Sequence, residues 1–519
     1  MSRPLDVTAV AIFAGLFAAV TVMGFVAARW RRGDLNQLHE WGLGGRRFGT
    51  IVSWFLLGGD LYTAYTFVAV PALLFGAGAM GFFAMPYTVL VWPILFAVFP
   101  RLWSVCRARG YVTAADFVRG RFGSRGLALA VAVTGIVATM PYIALQLIGI
   151  EVVIAALGLN FTFHADGFSL DVPLLVAFAI LAAYTYSSGL RAPALIAVVK
   201  DLLIYGTLAA VVIIVPLRLG GYAHVFASVP SSKLLLAPPA AGSLGAYSAY
   251  ASLALGSALA LLLYPHSVTG ILSSSGREVI RRNAIAMPVY SLALGLIALM
   301  GYMALASGVS AMPPYTEGFK EFGANFAVPA LLMASFPPWL IGISFAAIAI
   351  GALVPAAIMA IASANLFTRN IYKEYIRPGC SAAEESRMAK IASLIVKAGG
   401  LVFIILLPQT YAVVLQLLGG VWISQTLPAV LLGLYARWLR PSALLLGWAA
   451  GIGAGTFMVA QSSFKSAIYI LHVFGTAVPC YAALAALAVN LAVGAAASVL
   501  INVFSRLPQH DATLAEDYV

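Results

Sequence analysis

The stretch that decides the fold runs from Arg47 to Gly78, RFGTIVSWFLLGGDLYTAYTFVAVPALLFGAG. It is long and apolar enough to cross a bilayer, which takes about 20 residues, yet near its middle it carries Gly58, Gly59 and the carboxylate of Asp60. An ionisable side chain at membrane depth costs about 3 kcal/mol or more, and paired glycines weaken a helix. A span that holds all three is expected to be interrupted, with half-helix ends and free backbone groups turned toward a solvated pocket rather than toward lipid.

The rest of the chain supports an all-α integral membrane protein. Of its 519 residues 62% are hydrophobic and 9% charged, more apolar surface than a soluble core can hide. Windows of about 20 residues place thirteen spans at 7–28, 48–76, 80–100, 127–158, 171–188, 193–217, 247–272, 286–307, 329–366, 388–407, 410–436, 442–461 and 474–503. The segments 127–158 and 329–366 exceed one upright helix, so each is expected to tilt, to kink at Pro141 or Pro355, or to include a short surface helix. The first run, Val7 to Ala28, is too long for a signal-peptide core and is read as a retained span.

The net charge of +12 is spread through short loops rather than gathered on one face, which disfavours nucleic acid as a partner. Alternate loops sort it instead: 23 of the 30 basic residues fall on one side, among them Arg29, Arg31, Arg32, Arg46, Arg47, Arg101, Arg107, Arg109, Arg119, Arg121, Arg125, Arg191, Arg369, Lys373 and Arg506, while Arg3, Arg218, Lys233, Lys320 and Lys465 fall on the other. The positive-inside bias then puts the N-terminus outside and the C-terminus in the cytoplasm. Cys106, Cys380 and Cys480 are odd in number and lack metal-ligand spacing, so neither a disulfide framework nor a metal is implied, and no cofactor is expected.

Few ionisable groups remain within the spans: Asp60, Glu151, Lys200, Asp201 and Lys397, with Asp6 and Asp171 at span ends. Lys397 lies two turns from Lys390, so its stem can snorkel to the boundary; Glu151 serves a structural hydrogen bond or transport equally well. Lys200 sits about 12 Å inside its helix, where an amine either pairs helices together or takes part in ion coupling. Adjacent residues on a helix point about 100° apart, so Lys200 and Asp201 need not pair. A second interruption is expected at Tyr264, Pro265 and His266, five spans after the first, because proline leaves a carbonyl unpaired. Paired discontinuous helices in two halves are the pointer to an inverted-repeat transporter.

The segments GYVTAADFVRGRFGSR (Gly110 to Arg125), YPHSVTGILSSSGREVIRRNA (Tyr264 to Ala284) and NLFTRNIYKEY (Asn365 to Tyr375) carry a family likeness. The chain resembles the solute:sodium symporters over Trp41 to Leu439, and GALVPAAIM with FTRNIYKEY looks most like the bacterial monocarboxylate permease branch. The resemblance implies the five-plus-five inverted repeat of the amino acid-polyamine-organocation superfamily: an additional N-terminal helix and loop at 1–47, a first repeat at 48–217, an outer loop at 218–246, a second repeat at 247–440, and additional helices with a short tail at 441–519.

Sodium-coupled members hold the cation with carbonyls of the first broken helix and two adjacent hydroxyl residues of the eighth core helix. The matching positions here are Val354 and Pro355, which offer no side-chain oxygen, and a hard cation needs oxygen ligands that carbonyls near Gly58 and Leu61 alone cannot supply. The same likeness sets Lys200 beside the acidic position near that site. Lys200 in place of sodium, itself able to gain and lose a proton once desolvated, with Asp201 and Asp60 beside it, is therefore the expected mechanism of proton symport or sodium-independent exchange, with a sodium-coupled symporter of a small organic acid or amino acid as the rival.

For the substrate, a small monocarboxylate such as lactate or pyruvate, half-helix N-termini supply N–H groups and partial positive charge. Gly59, Tyr62, Tyr65, Tyr264, His266 and, by likeness to sugar-carrying relatives, Gln416 are the candidate contacts, with helix packing as the alternative for each aromatic. No phosphate loop, paired-histidine metal motif or nucleophile elbow argues for an enzyme. A membrane sensor is the reading from another class; the tail after Arg506 offers no room for a kinase or receiver domain.

Overall fold

Helix Pro338–Phe367 forms the axis of the molecule, buried on every side from Ile341 almost to its end. That is what a helix apolar all round requires. It is packed by Val7–Val26, Arg125–Ala156, Arg191–Arg218 and Ala382–Leu406. The computed structural model describes residues 6–31, 33–159, 162–165, 168–406, 413–504 and 510–519.

Among the described residues ten helices are long and apolar enough to cross a membrane, with Thr50–Gly59 and Val172–Ser188 as shorter apolar helices. The protein is accordingly a multi-pass membrane protein. The last residue of the expected span 388–407, the start of 410–436, and Arg3, Arg32 and Arg506 lie outside the described residues.

The segment 127–158 is one helix, Arg125–Ala156, that continues through Pro141. The segment 329–366 instead contains a separate short helix, Ala327–Ser335, which stops at Phe336 in extended conformation before Pro338 starts the long one. Pro337 disfavours helical geometry at the residue before it, which fixes that break. Pro355 lies inside the long helix. The expected span 474–503 is corrected: Thr476–Tyr481 is a strand paired antiparallel with Ile468–Val473, and the helix begins at Ala482. The β-branched and aromatic content of IYILHV suits a pleated ribbon better than a helix. A second hairpin pairs Thr162–Ala165 with Phe168–Asp171.

The arginine-bearing loops meet at one end of the molecule. Wholly buried Arg191 donates to the Glu40 carbonyl at 2.7 Å and pairs with its carboxylate, which also binds Arg47 at 2.7 Å. Arg121 donates to Gly433 O at 3.1 Å and pairs with Asp511 at 3.0 Å, while Arg109 pairs with Asp517 at 2.6 Å. The segment 510–519 is thereby held against the loop helix Ala114–Phe122.

Candidate functional site

The first broken helix stops at Gly59, and its next half resumes at Tyr65–Ala69 and Val70–Ala77. The turn between them consumes one carbonyl, Gly58 O, which accepts the amides of Leu61 at 2.9 Å and Tyr62 at 3.2 Å. Thr63 Oγ1 then accepts from Tyr65 N at 3.0 Å and starts the second half, as a hydroxyl at a helix start does. A side chain at Gly58 would overlap the Tyr290 ring, so the two helices approach this closely because there is none.

The carbonyls left without helical partners at this break are taken by an amine. Lys200 Nζ donates to Gly59 O and Tyr62 O, both at 2.8 Å, and lies 2.8 Å from Asp201 Oδ1, an ion contact rather than an aligned hydrogen bond. Both side chains are fully buried. Asp201 Oδ2 accepts from Tyr290 OH at 2.7 Å. A buried ion pair is retained best when its remaining lone pairs and protons are satisfied; here two carbonyls and a phenol do most of that, and Asp201 Oδ1 keeps only its ion contact with Lys200.

The cage differs from the expected one in register. Gly59 and Tyr62, not Gly58 and Leu61, present the carbonyls, because Gly58 O is occupied within the turn. Lys200 and Asp201 do touch, although neighbours on a helix need not. Tyr62 and Gly59, expected at the substrate, sit with the amine: the Tyr62 ring packs on Tyr205 and Tyr290 with centroids 5.7 and 4.6 Å apart, and a side chain at Gly59 would lie 3.2 Å from Lys200 Nζ. Helix Pro338–Phe367 closes the junction at Gly351, whose added methyl would lie 3.7 Å from Tyr62 O. Val354 and Pro355 follow one turn later on that face.

The second helix breaks where expected. Gly245–Leu263 ends, Tyr264 is extended, and Pro265 opens Pro265–Leu272. Asp60 ties the two breaks together: Ser267 Oγ donates to its Oδ2 at 3.2 Å, and His266 Nε2 lies 3.4 Å from the same oxygen. Tyr264 OH donates to Gln416 O at 3.0 Å, the Tyr142 ring packs against both Tyr264 and His266, and Tyr65 stands edge-on to Tyr87.

Around this second break, buried polar atoms have no hydrogen-bond partner among the described residues: Asp60 Oδ1, Gln146 Nε2, both imidazole nitrogens of His266 and both amide atoms of Gln416. Each such atom costs about 1–3 kcal/mol, and native interiors tolerate few without a reason. The set has donors for a carboxylate in two amide groups and an imidazole, with aromatic walls beside them.

Gln146 and Tyr290 were not singled out from sequence. Gln146 Oε1 accepts from Ala64 N at 3.1 Å, bracing the first break; a lone amide within the apolar run 127–158 was the available signal. Nothing marks Tyr290 among 22 tyrosines. Lys397 is buried, its Nζ without a hydrogen-bond partner among the described residues, so it does not snorkel. Glu151 is half-buried.

Two interrupted helices tied together by a buried carboxylate, with unpaired buried polar atoms beside them, are the arrangement of a secondary transporter. The model of the sodium:solute symporter family matches residues 41–451, and the chain belongs to that family. It is 52% identical over 509 residues to a protein of Rhizobium johnstonii described as a monocarboxylate transport permease protein, covering 96% of this chain and 98% of that one. An uncharacterized symporter of Bacillus subtilis, YodF, is 32% identical over 466 residues, 89% of this chain and 90% of its own. Among solved structures, an outward-open, substrate-bound Na+-coupled sialic acid symporter aligns with a TM-score of 0.76 at 14% identity, over 96% of this chain and 98% of that chain. A closed transporter of the nucleobase-cation-symport-1 family aligns at 0.54 and 11% identity, over 94% of this chain and all of that chain. These two likenesses establish the fold.

Proposed function

We propose that the protein carries a small monocarboxylate, lactate or pyruvate being the simplest, across the cell membrane without sodium and in company with a proton. The observation that carries this reading is the Lys200 ammonium held between the Gly59 and Tyr62 carbonyls and Asp201. A fixed positive charge there satisfies carbonyls that a metal ion would otherwise need, and Val354 and Pro355 add no oxygen for one. The kinship with a monocarboxylate permease supports the substrate class.

The substrate carboxylate takes its hydrogen bonds from Gln146, Gln416 and His266, and its short apolar part lies against Tyr65, Tyr142 and Tyr264. Asp60 lies 3.4 Å from His266, so an arriving anion meets a second carboxylate. One proton shared between them removes a like-charge repulsion that is large in a low-dielectric pocket, and couples substrate to proton. In this reading the chain makes thirteen crossings in a five-plus-five inverted repeat, with repeats at 48–217 and 247–440, the arginine-rich end in the cytoplasm and the N-terminus outside.

The test is accumulation of labelled lactate or pyruvate in proteoliposomes under an imposed pH gradient, against protein-free vesicles. Uptake against the concentration gradient that a protonophore abolishes is the expected result. Failure of either acid to accumulate, or accumulation indifferent to the protonophore, overturns the reading.

A further inference from the structure

Two cavities lie end to end between the second helix break and the arginine-rich face, along the same pair of helices. The inner slot starts at Pro265, passes Gly135 and Leu366, and ends at Thr113. The outer cleft, about 290 Å³, begins one turn further along both helices and is lined by Asp116, Arg119, Arg125, Arg369, Asn370 and Lys373. Between slot and cleft stands a short hydrogen-bonded partition: Thr113 Oγ1 donates to Asn370 Oδ1 and Asn370 Nδ2 to Asp116 Oδ1, each at 2.8 Å.

The charges in the cleft do not cancel. Arg119 and Arg125 share the single carboxylate of Glu374 at 3.1 and 2.8 Å; Arg369 lies between Asp116 at 3.3 Å and Glu385 at 2.7 Å; Lys373 pairs with Glu385 at 2.6 Å. Four cations thus meet three carboxylates, and the Arg125 side chain is 63% exposed. A guanidinium fork matches a carboxylate, an excess of positive charge in a cleft favours an anion, and the volume is several times the ~30 Å³ of a water molecule.

We propose that this cleft is a second subsite for a small carboxylate anion, occupied by the solute between the arginine-rich face and the membrane-depth site. The proposal rests on the carboxylate reading above. The partition at Thr113 and Asn370 is the point the solute must pass to move from one subsite to the other.

The experiment uses the full chain with its three native cysteines replaced by Ala and Pro378→Cys added, Pro378 being an exposed part of the cleft wall. Lactate is expected to slow modification by a small, membrane-impermeant thiol reagent at least threefold, to do so equally when His266→Ala disables the deep site, and to lose the effect in Arg125→Gln. In the cysteine-intact protein, Arg125→Gln is expected to raise the half-saturating lactate concentration about fivefold at the arginine-rich face alone, with Arg125→Lys restoring most of the loss. No slowing in a preparation that transports lactate, stronger slowing by phosphate than by lactate, or an equal shift at both faces overturns the subsite. Protection without lactate transport would instead leave the subsite standing and sink the substrate assignment.

Discussion

The two helix breaks solve the same problem in opposite ways. Both expose backbone and side-chain polar groups at a depth where each unsatisfied group costs several kcal/mol. At the first, the chain supplies its own cation: Lys200 closes the Gly59 and Tyr62 carbonyls, and Asp201 with Tyr290 closes the charge. At the second, His266 and Gln416 keep atoms without partners among the described residues, as do Asp60 Oδ1 and Gln146 Nε2 on the side of the first break that faces it. A satisfied break is a structural element, whereas an unsatisfied one is arranged for something that arrives.

The sharpest way to break that comparison is Lys200→Met. It strands Asp201 and two carbonyls, so a loss of about 3–5 kcal/mol and of all lactate accumulation is expected, read by thermal unfolding and by uptake. A companion Asp201→Asn should recover part of the stability and none of the transport. Tyr290→Phe removes one hydrogen bond to a charged group and should cost about 1.5–3 kcal/mol in the same unfolding assay.

Substitution at the second break should separate the two readouts. Gln416→Met and His266→Phe keep the buried volume and remove polar atoms that have no hydrogen bond to lose, so each should lower lactate transport tenfold or more while unfolding moves by less than about 1.5 kcal/mol. Parallel losses of stability and transport would show that this break is built like the first. The smallest effect lies outside the membrane. Burial pushes the Glu385 carboxyl up, but Arg369 and Lys373 outweigh burial and leave it below the ordinary value. Its contribution is present above the unfolded-state value and is lost as the pH falls through the lower folded one, so the Glu385→Gln variant should show a shallower loss of stability than the parent in an acid titration below about pH 4.

Much of this was legible in the residues themselves. Gly58, Gly59 and Asp60 in one span and Tyr264, Pro265 and His266 in another announce both breaks, since a glycine pair, a proline and an acid at membrane depth each work against an unbroken helix facing lipid. That the Lys200 amine sits at the first break came instead from the family resemblance, which set it near a site where Val354 and Pro355 stand in place of hydroxyl residues. Which carbonyls it meets was not legible, because that depends on Gly58 O closing the turn with Leu61 and Tyr62, a detail of local hydrogen bonding. Nor was the contact of Lys200 with Asp201, which a long flexible stem permits despite diverging Cβ directions. Thr476–Tyr481 was misread as helix because an apolar strand beside a span looks like more of it.

In the proposed mechanism the Lys200 amine fills a cation position, donating to Gly59 O and Tyr62 O. The most direct test is the initial rate of lactate uptake into proteoliposomes at a fixed pH gradient, with sodium, potassium or choline as the sole external cation. Equal rates in all three are predicted. A strict requirement for sodium would contradict the claim, because the position assigned to the amine would then have to admit an ion.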